Sequence, residues 1–134
     1  MGVILDTSVI IEAERGRLDF KKFTAGRESQ PFGLSAITVA ELLHGVHRAD
    51  TEVRRIRRSA FVEKVIEIIS IYSFNLQTAR IYAAVWARLQ QQGLPIGAHD
   101  MIIGATAINL GFSVATFNPR HFSRIPGLKL EILP

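Results

Sequence analysis

The feature that most constrains the fold is a regular alternation between short, apolar, β-branched runs and longer segments with helical spacing. Strands are predicted at residues 3–5, 32–35, 68–72, 112–116 and 128–132. Strands that alternate with helices imply right-handed crossovers and a mainly parallel sheet covered on both faces. The sequence therefore predicts an α/β fold, a three-layer α/β/α sandwich in which ligands gather beyond the carboxyl ends of the strands.

Helices are predicted directly after Asp6 and at residues 38–49, 51–69, 75–92, 99–110 and 119–122. Thr38 and Glu41 have the Thr-x-x-Glu spacing of a capping box at the start of one of them. Two helices carry apolar stripes that we expect to mark one side of the helix. The stripes are Val53, Ile56, Ala60 and Ile68 in one, and Leu76, Ala79, Ala83, Trp86 and Leu89 in the other.

The length of 134 residues predicts one domain, residues 1–134. The absence of cysteine excludes disulfide frameworks, thiolate zinc sites and cysteine nucleophiles. The first residues lack the pattern of a signal peptide and no apolar run is long enough for a membrane span, so we expect a soluble, cytoplasmic protein. The net charge of +4 favours a polyanionic partner such as nucleic acid.

Three acidic residues stand in apolar surroundings. Asp6 interrupts VILDTSVII, Glu41 interrupts TVAELL, and Asp100 precedes MIIGA. Burying a lone carboxylate costs several kcal/mol unless a cation or hydrogen bonds compensate it. Each acid alone has a structural explanation, as a helix cap or a singly paired acid, but all three beside strand ends favour a shared divalent cation, Mg²⁺ or Mn²⁺. A carboxylate-bound ion of this kind can activate water to hydrolyse a phosphodiester bond.

Four segments in order then make the sequence resemble the PIN-domain nucleases, and among them the VapC-type toxins of toxin-antitoxin pairs. The segments are LDTSVII at 5–11, ITVAELLHG at 37–45, IGAHDMIIGATA at 96–107 and VATFNPRHFSRIPGL at 114–128. The resemblance implies that Asp6, Glu41 and Asp100 are catalytic metal ligands. It also implies that Thr7, Ser8 or Thr116 orders metal-bound water.

Asn118 is a departure from this family pattern. Many PIN domains carry a fourth acid at its place, whereas asparagine brings no charge. Asn118 is therefore expected to belong to the catalytic site without being a metal ligand. The resemblance then favours one tightly held metal in the free protein, with a second recruited together with the RNA phosphate.

Basic residues are the candidates for contacts to the partner. Arg54 and Arg58 lie on one side of a helix and could bind RNA phosphates or an acidic antitoxin segment, although a solvated helix face explains them equally well. His99 and Arg120 are further candidates for RNA or antitoxin contact because they lie near the acids in the sequence. Tyr82 and Trp86, four residues apart, are expected in packing or in a subunit interface.

The preferred hypothesis is a metal-dependent endoribonuclease toxin with an RNA substrate, neutralised by a cognate VapB-type antitoxin, and a homodimer by family resemblance. Two alternatives stay open. One is a catalytically silent α/β module that binds RNA or protein, because a fold does not certify activity. The other is an aspartyl-nucleophile phosphatase, although a second acid at Ser8 and a suitable downstream lysine are missing.

Overall fold

The computed structural model describes residues 1–134 and contains five strands and seven helices. The strands are β1 (Val3–Leu5), β2 (Phe32–Ser35), β3 (Ser70–Tyr72), β4 (Ser113–Thr116) and β5 (Leu130–Ile132). The helices are α1 (Thr7–Glu14), α2 (Phe20–Thr24), α3 (Ala36–His47), α4 (Glu52–Ile68), α5 (Leu76–Gln91), α6 (Ala98–Leu110) and α7 (Pro119–Phe122).

The strands form one fully parallel sheet in the order β3-β2-β1-β4-β5, with β1 in the centre. Val3 and Leu5 of β1 point into a core that α1, α3 and α4 share, whereas Ile4 points into a core shared with α5 and α6. Side chains of a strand alternate between the two faces of a sheet, so helices cover both faces. The predicted three-layer sandwich and its parallel sheet are confirmed.

The boundaries of α3 differ from the prediction. The helix begins at Ala36, and Ser35 caps it by accepting a hydrogen bond from the backbone nitrogen of Ile37. The predicted capping box of Thr38 and Glu41 is therefore wrong, because both residues already lie inside the helix. Ser35 also ends β2, so one serine links strand and helix directly. The short helix α2 was not predicted, and β3 is shorter than the predicted run at 68–72.

The apolar stripes identified the helices α4 and α5 correctly but not the sides that pack. In the predicted stripe of α5, Trp86 and Leu76 are 52% and 69% exposed and only Leu89 is buried; the other buried residues of this helix, Thr78 and Val85, lie outside the stripe. In α4, Val53 and Ile56 are also exposed, and Val62 and Val65 are buried instead. Both helices carry apolar residues on more than one side, so periodicity alone does not select the packed side.

Close packing places α6 against the end of the chain. A Cβ atom at Gly104 would come within 2.6 Å of the Cδ1 atom of Ile125, so a larger residue here would force the side chain of Ile125 to move. The contact anchors the segment after α7 onto the helix that carries Asp100. None of the helices combines the length and the apolar character that crossing a membrane requires.

Candidate active site

Asp6 lies at the carboxyl end of the central strand, at the N-cap position of α1, and is almost completely buried. Its side chain makes no capping hydrogen bond to the helix backbone. Instead, its Oδ2 atom accepts hydrogen bonds from the hydroxyl groups of Ser8 and Thr116, both at 2.8 Å. Thr116 ends the neighbouring strand β4, so the parallel pairing of β1 and β4 positions this contact. Both side-chain hydrogen bonds therefore go to Oδ2, and the backbone of Thr7 provides a further hydrogen bond to the carboxylate.

The surroundings of Asp6 disfavour its negative charge. Burial raises the pKa of Asp6 above its ordinary value of 3.8, and the nearby negative charge of Asp100 raises it further. The hydrogen bonds from Ser8 and Thr116 lower the pKa, but they do not offset the desolvation. A bound cation would stabilise the charged form of this buried carboxylate, because it compensates both the lost hydration and the repulsion from Asp100.

Glu41 reaches the same region from the second turn of α3. The hydroxyl group of Thr7 donates a hydrogen bond of 2.9 Å to the Oε1 atom of Glu41 and lies 3.1 Å from the hydroxyl oxygen of Thr38. Thr7 follows Asp6 directly, so the first turn of α1 orients two acids at once, Asp6 through Ser8 and Glu41 through Thr7. Thr38 is fully buried next to Thr7, a contact that its predicted role in helix capping did not include.

Two histidines stand next to the remaining carboxylate oxygens. The Nδ1 atom of His121, on α7, lies 3.1 Å from the Oδ2 atom of Asp100 in the first turn of α6. The Nδ1 atom of His99 lies 3.7 Å from the Oε2 atom of Glu41. The contact of His121 with Asp100 was not predicted, because the two residues are 21 positions apart and leave no local signal for the pair.

One cleft of about 700 Å³ brings the candidate catalytic residues together. The residues of the sequence prediction that line it are Asp6, Thr7, Ser8, Glu41, Asp100, Asn118 and Arg120. Asn118 is exposed at its edge, where its backbone nitrogen donates a hydrogen bond to Thr116. No lysine lines the cleft, which leaves the phosphatase alternative without the cation that it requires.

Four other predicted residues do not line this cleft: Thr116 is buried behind Asp6, and three residues lie beside the cleft. Arg54, Arg58 and His99 line a second groove next to it. Arg54 pairs with Asp50 at 3.0 Å, and Arg58 donates a hydrogen bond to the carbonyl oxygen of Gly45. Their proposed role as partner contacts stays a prediction.

The cleft fits a divalent cation by the type of its donors rather than by a preformed cage. No group of three His, Asp or Glu side chains is close enough to hold a metal ion alone. Mg²⁺, however, is commonly held by one or two carboxylates and completed by water and substrate phosphates. Asp6 and Asp100, which are near enough for the charge of Asp100 to raise the pKa of Asp6, provide such a pair of hard oxygen donors.

Comparison with known proteins agrees with this geometry. The PIN-domain family profile matches residues 3–128. The chain belongs to the PIN-domain family. It is 40% identical to ribonuclease VapC1 of Rickettsia felis over 97% of this chain and 95% of that protein. It is 28% identical to the tRNA(fMet)-specific endonuclease VapC of Salmonella typhimurium, over 96% of this chain and 95% of that protein.

A solved structure extends the similarity to the whole fold. The chain is similar to the crystal structure of VapBC2 from Rickettsia felis bound to a DNA fragment from their promoter, with a TM-score of 0.91, 25% identity and full coverage of both chains. The recognition of a VapC-type PIN domain from four sequence segments is thereby confirmed. Nucleases with PIN domains depend in general on divalent metal ions.

Proposed function

We propose that this PIN domain is a metal-dependent endoribonuclease toxin that hydrolyses RNA phosphodiester bonds and is neutralised by a cognate VapB-type antitoxin. The observation that carries the proposal is the cleft itself. Three acids from three separate segments, at residues 6, 41 and 100, line one cavity at the carboxyl ends of the strands. The similarity to VapC ribonucleases along nearly the whole chain supports the same activity.

Asp6 and Asp100 are the proposed ligands of Mg²⁺ or Mn²⁺, with Glu41 as a third acid that binds directly or through water. Such an ion, when bound, lowers the pKa of a water molecule and neutralises negative charge that develops on the phosphate. Asp6 is the best oriented of the three, because Ser8 and Thr116 hold one of its oxygens from two directions. Groups that orient a ligand in this way typically change metal affinity or activity by about 10–100-fold when removed.

The remaining side chains of the cleft orient the acids and meet the substrate. Thr7 orients Glu41, and His121 limits the rotation of the Asp100 carboxylate. Arg120 lines the cleft without a salt bridge of its own, so its guanidinium group is free to bind an RNA phosphate. The neutral Asn118 at the edge adds no charge for a second strongly bound metal ion.

The antitoxin is the proposed regulatory partner. The similar Rickettsia felis structure is a VapBC pair on promoter DNA, which is a property of that complex. We extend only the pairing to this chain: a VapB-type protein occupies the acidic cleft and so excludes RNA. A homodimer also remains part of the proposal, and the exposed Trp86 and Leu76 on α5 are apolar surface that a second copy could cover.

Cleavage of RNA with and without metal tests the activity. The purified protein, freed of antitoxin, is incubated with tRNA in the presence of Mg²⁺, Mn²⁺ or EDTA, and the products are separated by gel electrophoresis. We expect fragments with either metal and none with EDTA. Binding of tRNA without any metal-dependent cutting would establish the silent module instead, and hydrolysis of small phosphate esters without RNA cutting would establish the phosphatase.

A further inference from the structure

A basic groove of about 850 Å³ adjoins the acidic cleft on the side of α3 and α4. The two cavities share Thr7, Ile11 and Glu41 as lining residues, so they form one continuous surface. This basic groove is lined by five arginines and only two glutamates, a net charge of +3 compared with +4 for the whole chain. Most of the excess positive charge of the protein therefore lies next to the acids. The arginines are Arg15, Arg48, Arg54, Arg57 and Arg58.

Three of these arginines have no partner within the protein. Arg15, Arg48 and Arg57 make neither a salt bridge nor a side-chain hydrogen bond, whereas Arg54 is paired with Asp50 and Arg58 is bonded to Gly45. Arg15 and Arg48 are the C-caps of α1 and α3, where a cation also stabilises the helix dipole. That explanation does not apply to Arg57, which lies in the second turn of α4.

We infer that this basic groove binds the phosphate backbone of the RNA strand that leads to the acidic cleft, with Arg48 and Arg57 among its phosphate contacts. The inference rests on the proposed function and adds the path of the substrate. Free guanidinium groups bind phosphates through paired, charge-assisted hydrogen bonds. The positive charge of the groove is also needed next to a cleft of acids, because the acids alone repel a polyanion.

The composition of the groove favours a polyanion over a protein segment. Only four of its 15 lining residues are hydrophobic. Two of these, Leu42 and Val62, are buried in the core beneath the groove, and Phe61 is half-buried beside them. Protein partners obtain most of their binding energy from a few apolar anchors, whereas the groups without a partner in this groove are guanidinium groups, which suit phosphates. A protein occupant is the outcome against which the inference is tested.

The test measures RNA binding without catalysis. Binding of a short, fluorescein-labelled oligouridylate is followed by fluorescence anisotropy in EDTA over a series of KCl concentrations. The double variant Arg48→Gln/Arg57→Gln should bind more weakly than the unmodified protein, and the slope of log K against log salt should fall by about 1.4, at about 0.7 per lost phosphate contact on a single strand. Both residues are exposed and unpaired, so the variant should stay folded and lower the Tm by no more than the small helix-dipole contribution of Arg48.

The matched control is Arg80→Gln/Arg88→Gln, which removes the same charge from α5 on the other side of the sheet. Both residues are exposed and have no salt bridge. The control should keep the slope of the unmodified protein. An unchanged slope in the Arg48/Arg57 variant, as expected if a protein segment occupies the groove, would overturn the inference, and so would an equal drop in the control.

This experiment separates the RNA path from the proposed activity. Because EDTA prevents cutting, arginine-dependent binding without RNA cleavage in Mn²⁺ would reject the hydrolysis and keep the path. Metal-dependent cleavage with an unchanged salt slope would reject the path and keep the hydrolysis.

Discussion

The acidic cleft and the basic groove share an edge but hold their charged groups in opposite ways. In the cleft, Asp6 is almost completely buried and held by two hydroxyl groups, and Glu41 and Asp100 each have one close partner. In the groove, the guanidinium groups of Arg48 and Arg57 are exposed and unpaired. Chemistry at a phosphate needs ligands fixed within a fraction of an ångström, whereas a flexible polyanion is bound by adaptable charges. The cleft thus has the rigid arrangement of a reaction centre, and the groove has the adaptable charges of a path for the substrate.

The largest effect should follow from removing an acid of the cleft. Asp6→Asn and Asp100→Asn each keep the size of the side chain and remove a proposed metal ligand, so RNA cleavage in Mn²⁺ should fall by more than about a hundredfold, beyond the effect of losing a supporting group. Asp19→Asn is the matched control, since Asp19 is exposed and caps only the short helix α2. Single-turnover cleavage rates measure the effect. Equal activity of the Asp6 variant and the control would remove Asp6 from the reaction centre.

A smaller effect should follow when only the support of an acid is removed. Thr116→Val is nearly isosteric and deletes one of the two hydroxyl contacts of Asp6. The affinity for Mn²⁺, measured by calorimetry, should fall by about 10–100-fold. Since that contact lowers the pKa of Asp6, the pH at which cleavage is half-maximal should also move upward. Thr106→Val is the control, because the hydroxyl group of Thr106 donates a hydrogen bond only within its own helix. A Thr116 variant with unchanged metal affinity and pH profile would contradict the orienting role.

The salt dependence of the cleavage rate distinguishes the role of the groove from that of the cleft. Cleavage at subsaturating RNA should slow with rising KCl in the unmodified protein, because phosphate contacts release counterions. Thr116→Val should lower this rate at every salt concentration without changing the slope, whereas Arg48→Gln/Arg57→Gln should flatten the slope. The same slope in both variants would contradict the assignment of metal binding to the cleft and of phosphate binding to the groove.

The smallest effect concerns stability without metal. The pKa of Asp6 is raised in the folded protein, so the fold binds its proton more tightly than the unfolded chain does. The free energy of unfolding therefore falls as the pH rises from 3.8 through the raised pKa. Asp6→Asn, which removes this charge, should have a higher Tm than the unmodified protein at pH 7, with the difference vanishing near pH 4. Thermal unfolding in EDTA measures it.

Added Mn²⁺ gives this stability comparison a second readout. A ligand that binds only the folded state raises the Tm, so Mn²⁺ should stabilise the unmodified protein and not Asp6→Asn. A lower Tm of the asparagine variant at pH 7 in EDTA would instead mean that the charge of Asp6 stabilises the fold.

Periodic patterns in the sequence were sufficient to predict the layers of the fold and the parallel sheet. Asp6 could be placed at the end of the first strand because β-branched residues precede it and hydroxyl residues follow, whereas the central position of that strand came from the structure. The recognition of a PIN domain depended on the same local segments. The predicted site residues Asp6, Glu41, Asp100 and Asn118 line one cleft.

Tertiary structure alone decided the features that join distant residues. The contact between His121 and Asp100, the bond of Thr7 to Glu41 across 34 residues, and the meeting of α1, α3 and α4 around the basic groove have no periodic signal. The same holds for the buried sides of α4 and α5. Local propensity and alternation act over a few residues, whereas these contacts depend on how complete helices pack against a sheet.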